Sequence, residues 1–219
     1  MDFALIDWAD IFQATLDTLT MTGVSLIFTI LLGLPLGVLL FLTSKQQLLE
    51  QRGIYALLSF VVNMLRSVPF IILLIVLIPF TLLLVGTSLG VAGTIPPLVI
   101  GTTPFFARLV ENVLRDVDKG IIEACQAMGA KTHQIILQAL LPEALPGLLA
   151  ATTVTTIALV SYSAMSGVIG GGGLGDLALR YGYQRFQTEV MVVTVAILVI
   201  LVQLFQWWGD LLVAKFTRK

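Results

Sequence analysis

The sequence has 219 residues, of which 58% are hydrophobic and only 11% are charged, and its formal net charge is −1. Because about a quarter of the residues in soluble domains are charged, this composition excludes a water-soluble globular domain and indicates a membrane protein. The small net charge gives no general attraction to nucleic acid, and the single cysteine, Cys125, excludes an internal disulfide framework.

The amino-terminal segment, residues 1–18, alternates acidic residues with large apolar ones. It carries Asp2, Asp7 and Asp10 where a signal peptide would need basic residues, so we expect no cleaved signal peptide. The pattern predicts a short amphipathic helix on the outer membrane surface.

Five later segments are apolar over the roughly 20 residues that a membrane-spanning helix needs. They are residues 19–42, 57–85, 88–110, 146–169 and 188–213. The second is too long to cross upright and contains Pro69 and Pro79, so we expect it to be tilted, kinked or partly laid along the cytoplasmic interface. The predicted fold is therefore all-α, a polytopic membrane protein with five transmembrane helices in one domain, residues 1–219.

The basic residues predict the orientation, because cytoplasmic loops are enriched in Lys and Arg. The segment before the first span has aspartates and no basic residue, which places the amino terminus outside. The loop after the first span, the polar insert at residues 115–145 and the carboxyl-terminal tail carry Lys and Arg, which places all three inside. Arg180 and Arg185, in an outward loop, are the exceptions. Five spans are few to enclose a solute path, so we expect a homodimer.

The polar insert predicts two helices. Asp116 and Asp118 can cap the first helix, in which Ile121, Ile122, Cys125 and Met128 recur at helical spacing. Gly129 suits the left-handed position that ends a helix, and Thr132 can cap the second helix. In that helix one face is formed by Ile135, Ile136, Ala139 and Leu140.

Two interpretations of the insert remain open. It is either an interfacial hairpin that only joins two spans, or a helix that enters a groove on a partner with its apolar side buried and Glu123 facing a basic group.

The insert resembles the coupling-loop motif of ATP-binding-cassette (ABC) importer permeases. That motif reads Glu-Ala-Ala, three residues, Gly, nine residues, Ile, one residue, Leu-Pro. The matching positions here are Glu123, Ala124, Cys125, Gly129, Leu141 and Pro142. Cys125 and Ala139 depart from the motif, where Ala and Ile are usual, but both keep a small or apolar residue. The resemblance implies that these residues couple the chain to a cytoplasmic ATPase.

Further segments look closest to the methionine-uptake permeases among the type I ABC importers. They are Thr18-Leu-Thr-Met-Thr, Arg66-Ser-Val-Pro-Phe, Pro142-Glu-Ala-Leu-Pro-Gly, and Tyr162-Ser-Ala-Met with the glycines that follow. The resemblance implies a multi-pass permease of the bacterial inner membrane that imports L-methionine, with D-methionine as a second candidate. Its partners would be a second copy of itself, two ATPase subunits, an extracytoplasmic substrate-binding protein and membrane lipid. This chain would hold no cofactor and catalyse nothing, since ATP and Mg would bind to the ATPase subunits.

The glycine-rich stretch at residues 160–175 lacks the preceding strand and the Lys of a phosphate-binding loop. A turn and close packing of small residues explain most of its glycines. The resemblance places this span along the translocation path, where Tyr162, Ser163 and Met165 form a candidate gate. Met165 is flexible and polarizable enough to plug a narrow channel or to contact a thioether.

Other polar residues of the spans have structural and functional interpretations. Arg66 either extends to the interface or braces the kink at Pro69, and Arg108 and Glu111 predict a structural ion pair. An outward loop is either an interfacial aromatic belt or a docking surface for the binding protein, and it contains Asp176, Arg180, Tyr181, Tyr183 and Arg185.

The main hypothesis is an ABC importer permease for methionine, with another amino acid or small solute as the alternative substrate. A proton- or sodium-coupled carrier would place Asp or Glu at mid-membrane, and none of the 13 acidic residues falls at the centre of a predicted span. A membrane scaffold that only docks a cytoplasmic partner remains a third possibility.

Overall fold

The computed structural model describes residues 7–217, and all regular secondary structure in that range is helical. In chain order the helices are α1 (Trp8–Thr43), α2 (Arg52–Ser67), α3 (Phe70–Val76), α4 (Ile78–Val85), α5 (Gly90–Arg115), α6 (Lys119–Ala127), α7 (Thr132–Gln134), α8 (Leu141–Glu143), α9 (Leu145–Ser166), α10 (Gly173–Leu177) and α11 (Thr188–Phe216). Two π-helical turns, Ile135–Leu140 and Ala178–Tyr183, and one 3₁₀ turn, Gly167–Ile169, complete the described regular structure.

Four of the described helices, α1, α5, α9 and α11, are long and apolar enough to cross a membrane, and the bent pair α2–α3 provides a fifth span if counted as one. The axis bends by 100° between α2 and α3. Pro69 explains the bend, because the residue before a proline is driven out of the α-helical region, and Val68 is extended at φ −79° and ψ 125°. Pro79 lies in the first turn of the separate helix α4. The all-α fold and the predicted kink are confirmed.

The predicted boundary between an outer helix and the first span is wrong. Helix α1 runs without interruption from Trp8 to Thr43, 36 residues or about 54 Å, which exceeds the roughly 30 Å hydrocarbon core. Asp7 caps it by accepting a hydrogen bond from the Ala9 amide at 2.9 Å. Residues 1–6 of the predicted outer helix lie outside the described residues.

The outer end of α1 is held by packing against the glycine-rich region. Ile11 and Ala14 are buried against Leu174, Leu177 and Val190. The Thr18 hydroxyl accepts a hydrogen bond from the Leu174 amide at 2.9 Å, which joins α1 to α10. This tertiary contact gives residues 8–18 a buried side within the bundle.

Helices α1 and α5 form the central pair and run in the same direction. The Thr29 and Thr102 hydroxyls are hydrogen-bonded at 2.7 Å. Two turns further along both helices, Gly37 meets Val110 so closely that a Cβ at Gly37 would lie 2.6 Å from the Val110 Cβ. Small residues allow membrane helices to approach in this way, because van der Waals packing replaces the hydrophobic driving force in lipid.

The other spans run opposite to α5 or to each other. Gly147 of α9 lies against Val113 near the end of α5, whereas Gly171, beyond α9, lies against Thr94 near its start. In α11, Gly209 lies against Thr153 of α9. The connection between α5 and α9 is the polar insert, which therefore projects from one end of the bundle.

Candidate functional site

The first helix of the insert, α6, has the predicted start and end. The Asp118 carboxylate accepts a hydrogen bond from the Gly120 amide at 2.8 Å, whereas Asp116 closes the end of α5. Gly129 has φ +76°, the left-handed conformation. The Gly129 amide donates to the Gln126 carbonyl at 2.9 Å, and the Ala130 amide donates to the Cys125 carbonyl at 3.1 Å. This pair of bonds is a Schellman motif, which satisfies carbonyls at the helix end.

The second half of the insert differs from the prediction. Lys131, not Thr132, is the residue that precedes α7, and its amide donates to the Gln134 side-chain oxygen at 2.8 Å. The chain then forms a π-helical turn, in which Ile135 and Leu140 are 2% and 0% exposed while Ile136 and Ala139 are only half-buried. The predicted face is confirmed despite the π-helical winding, because Leu137 and Gln138, which lie between these four residues, are exposed.

The apolar side of the insert packs against its own chain. Ile122, Ile135 and Leu140 belong to one buried cluster with Phe41 of α1 and Leu114 of α5, and Cys125 packs on its edge. Ile122 and Cys125 of the predicted apolar side thus face the chain's own bundle, whereas Met128 of that side is 78% exposed. The cluster fastens the insert to the ends of the two central helices.

The face of the insert opposite to that cluster is exposed, and we call it the outer face. It contains Glu123, Ala124, Gly129 and Pro142, together with Met128, which is 78% exposed. Leu141, like Cys125, packs toward the buried cluster. Four of the six motif residues are therefore exposed and can contact a partner. The other two, Cys125 and Leu141, contact the bundle.

A buried carboxylate lies next to the insert, near the end of α5. Glu111 is 1% exposed, and its two oxygens form ion pairs with Arg108 and Arg115, each at 2.6 Å. The Tyr55 hydroxyl donates to Glu111 at 3.1 Å. Because a buried charge is costly unless paired and hydrogen-bonded, these three partners offset the cost of burying the Glu111 carboxylate.

The same network joins α2 to α5. One amino group of Arg108 donates to the Ser59 hydroxyl and to the Asn63 carbonyl oxygen, each at 2.9 Å. The predicted pair of Arg108 and Glu111 is confirmed, but Tyr55, Ser59, Asn63 and Arg115 were not predicted as partners. Apart from Arg115, which lies one helical turn from Glu111, local spacing gave no signal for them.

The loop between α1 and α2 is closed by Glu50. Its carboxylate accepts hydrogen bonds from the Gln46 amide at 3.0 Å and from the Arg52 guanidinium at 3.1 Å. The backbone bond, followed by the Arg52 bond, lowers the pKa of Glu50 below its ordinary value.

The three candidate gate residues do not share one surface. Tyr162 stacks on Phe70 of α3, with ring centroids 4.4 Å apart and planes 12° from parallel. Ser163 is 1% exposed and its hydroxyl donates to the Val160 carbonyl at 2.8 Å, so it lines no open surface in this conformation. Met165, three residues after Tyr162 along α9, is 46% exposed.

The predicted outward polar-aromatic loop is paired within itself. Asp176 is buried and forms an ion pair with Arg180 at 2.5 Å. The Arg180 and Arg185 guanidinium carbons lie 5.7 and 4.5 Å from the centre of the Tyr181 ring. Tyr183 remains 66% exposed.

Comparison with known proteins defines the class. Residues 33–218 match the family described as the binding-protein-dependent transport system inner membrane component. The chain belongs to this family of membrane transport permeases, which confirms the expectation of a multi-pass permease and not an enzyme.

Individual relatives extend over nearly the whole chain. The sequence is 49% identical over 206 residues to the probable D-methionine transport system permease protein MetI of Vibrio cholerae serotype O1, covering 94% of this chain and 92% of that protein. It is 48% identical over 210 residues to the methionine import system permease protein MetP of Bacillus subtilis strain 168, covering 96% of this chain and 95% of that protein.

Solved structures show the same arrangement of helices. A chain of the MetNI methionine ABC transporter in an inward-facing conformation superposes with a TM-score of 0.96 at 47% identity, over 100% of both chains. A chain from an amino acid ABC transporter crystallised with histidines gives a TM-score of 0.79 at 20% identity, over 98% of this chain and 99% of that one, and shares the fold. The resemblance to type I ABC importer permeases is confirmed.

Proposed function

We propose that this chain is the permease subunit of an ABC importer that moves methionine across the bacterial inner membrane, powered by a partner ATPase. The observation that carries the proposal is the insert, whose outer face presents Glu123 and Ala124 while its other side is fixed in the bundle by Ile122 and Leu140. The relatives named as methionine permeases support the substrate.

The outer face is suited to receive force from a partner. A subunit that grips Glu123, Ala124, Gly129 and Pro142 contacts a short hairpin with little freedom, because the Schellman motif and the buried cluster fix its shape. Any displacement of the hairpin is passed to α1 and α5, against which the cluster is packed. Glu123 would meet a basic group on the ATPase.

The orientation follows as part of the proposal. With the insert on the cytoplasmic side, the amino-terminal end of α1 and the loop around Asp176 are outside. The parallel run of α1 and α5 is consistent with this, since both would then cross from outside to inside and both end at the insert. The carboxyl-terminal end of α11 would be inside.

The proposed assembly contains two copies of this chain, two ATPase subunits and an extracytoplasmic binding protein, within membrane lipid. ATP and Mg would be held by the ATPase subunits, and this chain would supply the path and the coupling surface. Along that path, Tyr162 and Met165 are the proposed contacts of the substrate, whereas Ser163 has a packing role. L-methionine and D-methionine are both candidate substrates.

Reconstitution tests the proposal. The chain is incorporated into proteoliposomes with its ATPase and binding protein, and labelled methionine is offered with ATP inside or with an imposed proton or sodium gradient. We expect accumulation that requires ATP. Accumulation driven by the ion gradient would instead identify a carrier, and no accumulation with an intact ATPase complex would identify a scaffold.

Variants of the outer face test the coupling surface. Glu123→Arg and Gly129→Asp should release the ATPase subunit and abolish uptake, because the first reverses a charge and the second adds a charged side chain to the outer face. Gln138→Arg, an exposed substitution on the second half of the insert, is the matched control and should retain both ATPase association and uptake. Full ATPase association and transport in the first two variants would contradict the assignment.

A further inference from the structure

The strongest unassigned feature is a cavity of about 120 Å³ at the break between α2 and α3. It is lined by Arg66 and Val68 at the break, by Phe70 of α3, by Gly101 and Phe105 of α5, and by Tyr162 of α9. Four helices therefore meet around it. Irregular backbone at membrane depth is tolerated where it is buried in protein or lines a cavity. The break between α2 and α3 lines a cavity.

Arg66 lies beside the middle of a spanning helix. Because Gly101 and Phe105 share its cavity, Arg66 is level with residues near the midpoint of α5, Gly90–Arg115. Gly101 is about 21 Å along α5 from Arg115 at 1.5 Å per residue. A charge at that depth is costly, and such residues usually serve a ligand or ion.

The polar groups of the cavity are unpaired. Within residues 7–217, neither the Arg66 guanidinium nor the Tyr162 hydroxyl has a hydrogen-bond or ion-pair partner. The contrast with Arg108 and Arg115 is informative, since both of those guanidinium groups are paired with Glu111. Arg66 thus has its donors available in a cavity that also holds a phenolic hydroxyl.

The walls of the cavity are firmly packed. The Phe70 and Tyr162 rings are stacked at 4.4 Å, which joins α3 to α9. A Cβ at Gly101 would lie 3.2 Å from both Phe70 and Leu73, so the glycine lets α3 rest closely on α5. The stacked Tyr162 ring is thus held in place beside the exposed Arg66 side chain.

From these observations we infer that the Arg66 cavity is a subsite for the carboxylate of an amino acid in transit. A guanidinium offers paired donors that match the two oxygens of a carboxylate, and the Tyr162 hydroxyl can add a third donor. The volume is below the roughly 300 Å³ of pockets that enclose a whole ligand, so the cavity takes the carboxylate end and leaves the rest of the molecule outside it. This subsite rests on the proposed function.

Photo-crosslinking tests the subsite directly. The complete transporter with its ATPase subunits is placed in nanodiscs of phosphatidylcholine, without the binding protein, and exposed to photo-methionine, a diazirine analogue that keeps the carboxylate. Mass spectrometry then measures labelling of the peptides that contain Phe70 and Tyr162. We expect labelling that is competed by methionine and not by methioninamide, which lacks the carboxylate.

Three variants sharpen the test. Arg66→Gln should lower labelling about tenfold or more, since a hydrogen bond to a charged group is worth roughly 1.5–3 kcal/mol and 1.4 kcal/mol is tenfold in affinity. Tyr162→Phe keeps the stacked ring and should lower labelling several-fold, which preserves the test if Arg66→Gln fails to assemble. Arg52→Gln, a 78% exposed arginine on the same helix, is the control and should label like the wild type.

Each contrary outcome overturns the inference. Unchanged labelling in Arg66→Gln, or equal competition by methioninamide, would show that no carboxylate is recognised at this place. Labelling that disappears when anionic phosphatidylglycerol replaces zwitterionic phosphatidylcholine would assign the cavity to an anionic lipid headgroup. ATP-dependent uptake is measured on the same purified wild-type transporter, reconstituted into proteoliposomes with its binding protein. Uptake without Arg66-dependent labelling rejects the subsite alone, whereas absence of uptake rejects the proposed function.

Discussion

Replacing Glu111 with Gln isolates the contribution of the buried charge network that joins α2 to α5. The side chain is 1% exposed and forms two ion pairs of 2.6 Å, so the neutral amide leaves two guanidinium groups without their counter-charge. Breaking a buried pair by removing one partner costs about 3–5 kcal/mol. Since the Arg108 and Arg115 side chains are 15% and 43% exposed, water relieves part of this cost and we expect a value near the lower end, about 3 kcal/mol.

The structure also predicts an order of effects within the network. Arg108→Gln should cost more than Arg115→Gln, because Arg108 is less exposed and also bonds Ser59 and Asn63. Tyr55→Phe removes the hydrogen bond donated to Glu111 and the one accepted from Arg115, and should cost about 1–2 kcal/mol.

Melting of the purified chain in detergent, followed by intrinsic tryptophan fluorescence, is the assay. For a protein of 150–250 residues 1 kcal/mol shifts the melting temperature by about 2–4 °C, so Glu111→Gln should lower it by about 6–12 °C. Arg52→Gln, which breaks the exposed pair with Glu50, is the control and should change it by no more than about 2–4 °C. A Glu111→Gln shift no larger than that of the control would refute the reasoning, as would a larger loss in Tyr55→Phe.

Three further predictions concern other parts of the chain. Gly129→Ala should destabilise the insert by about 1 kcal/mol through its left-handed φ alone, since no atom lies within 4 Å of a Cβ there, and should weaken ATPase binding measured by co-purification. Gly129→Asn, which tolerates the left-handed region better, should weaken that binding less. Gly37→Leu should prevent stable folding, seen as loss of monodisperse protein, because its side chain would overlap Val110. Glu50 has a lowered pKa, so its loop contacts are complete above about pH 4.5 and are lost as the pH falls through that lowered value. Protection of the Gln46 amide from hydrogen exchange should fall over the same pH range. Identical protection in Glu50→Gln would disprove this prediction.

The helices themselves were largely predictable because their causes are local. A bilayer sets the length of an apolar segment, so hydropathy located the spans that the structure shows as α1, α5, α9, α11 and the bent pair α2–α3. Pro69 predicted the kink because a proline restricts the residue before it. Gly129 predicted the end of α6 because few other residues adopt a positive φ without strain.

The continuity of α1 and the direction of the insert could not be predicted in this way. Residues 8–18 looked like part of an interfacial helix, and only the presence of Leu174 beside Ile11 and Ala14 shows that these two are bundle contacts. An apolar face on α6 is equally compatible with a partner groove and with the chain's own core, and the structure places Ile122 in the core. Periodicity states that a face is buried but not against what.

The sequence by itself determined the membrane class, the approximate spans, the kink and the coupling-loop motif, since each depends on composition or on residues within a few positions of one another. Only the tertiary structure decided which residues meet. Tyr55 and Glu111 are 56 positions apart and Thr18 and Leu174 are 156 apart, and no local spacing encodes such contacts. The outer face of the insert and the cavity at Arg66 are surfaces of the folded chain, so their residues could be found only after the packing of distant helices had brought them together.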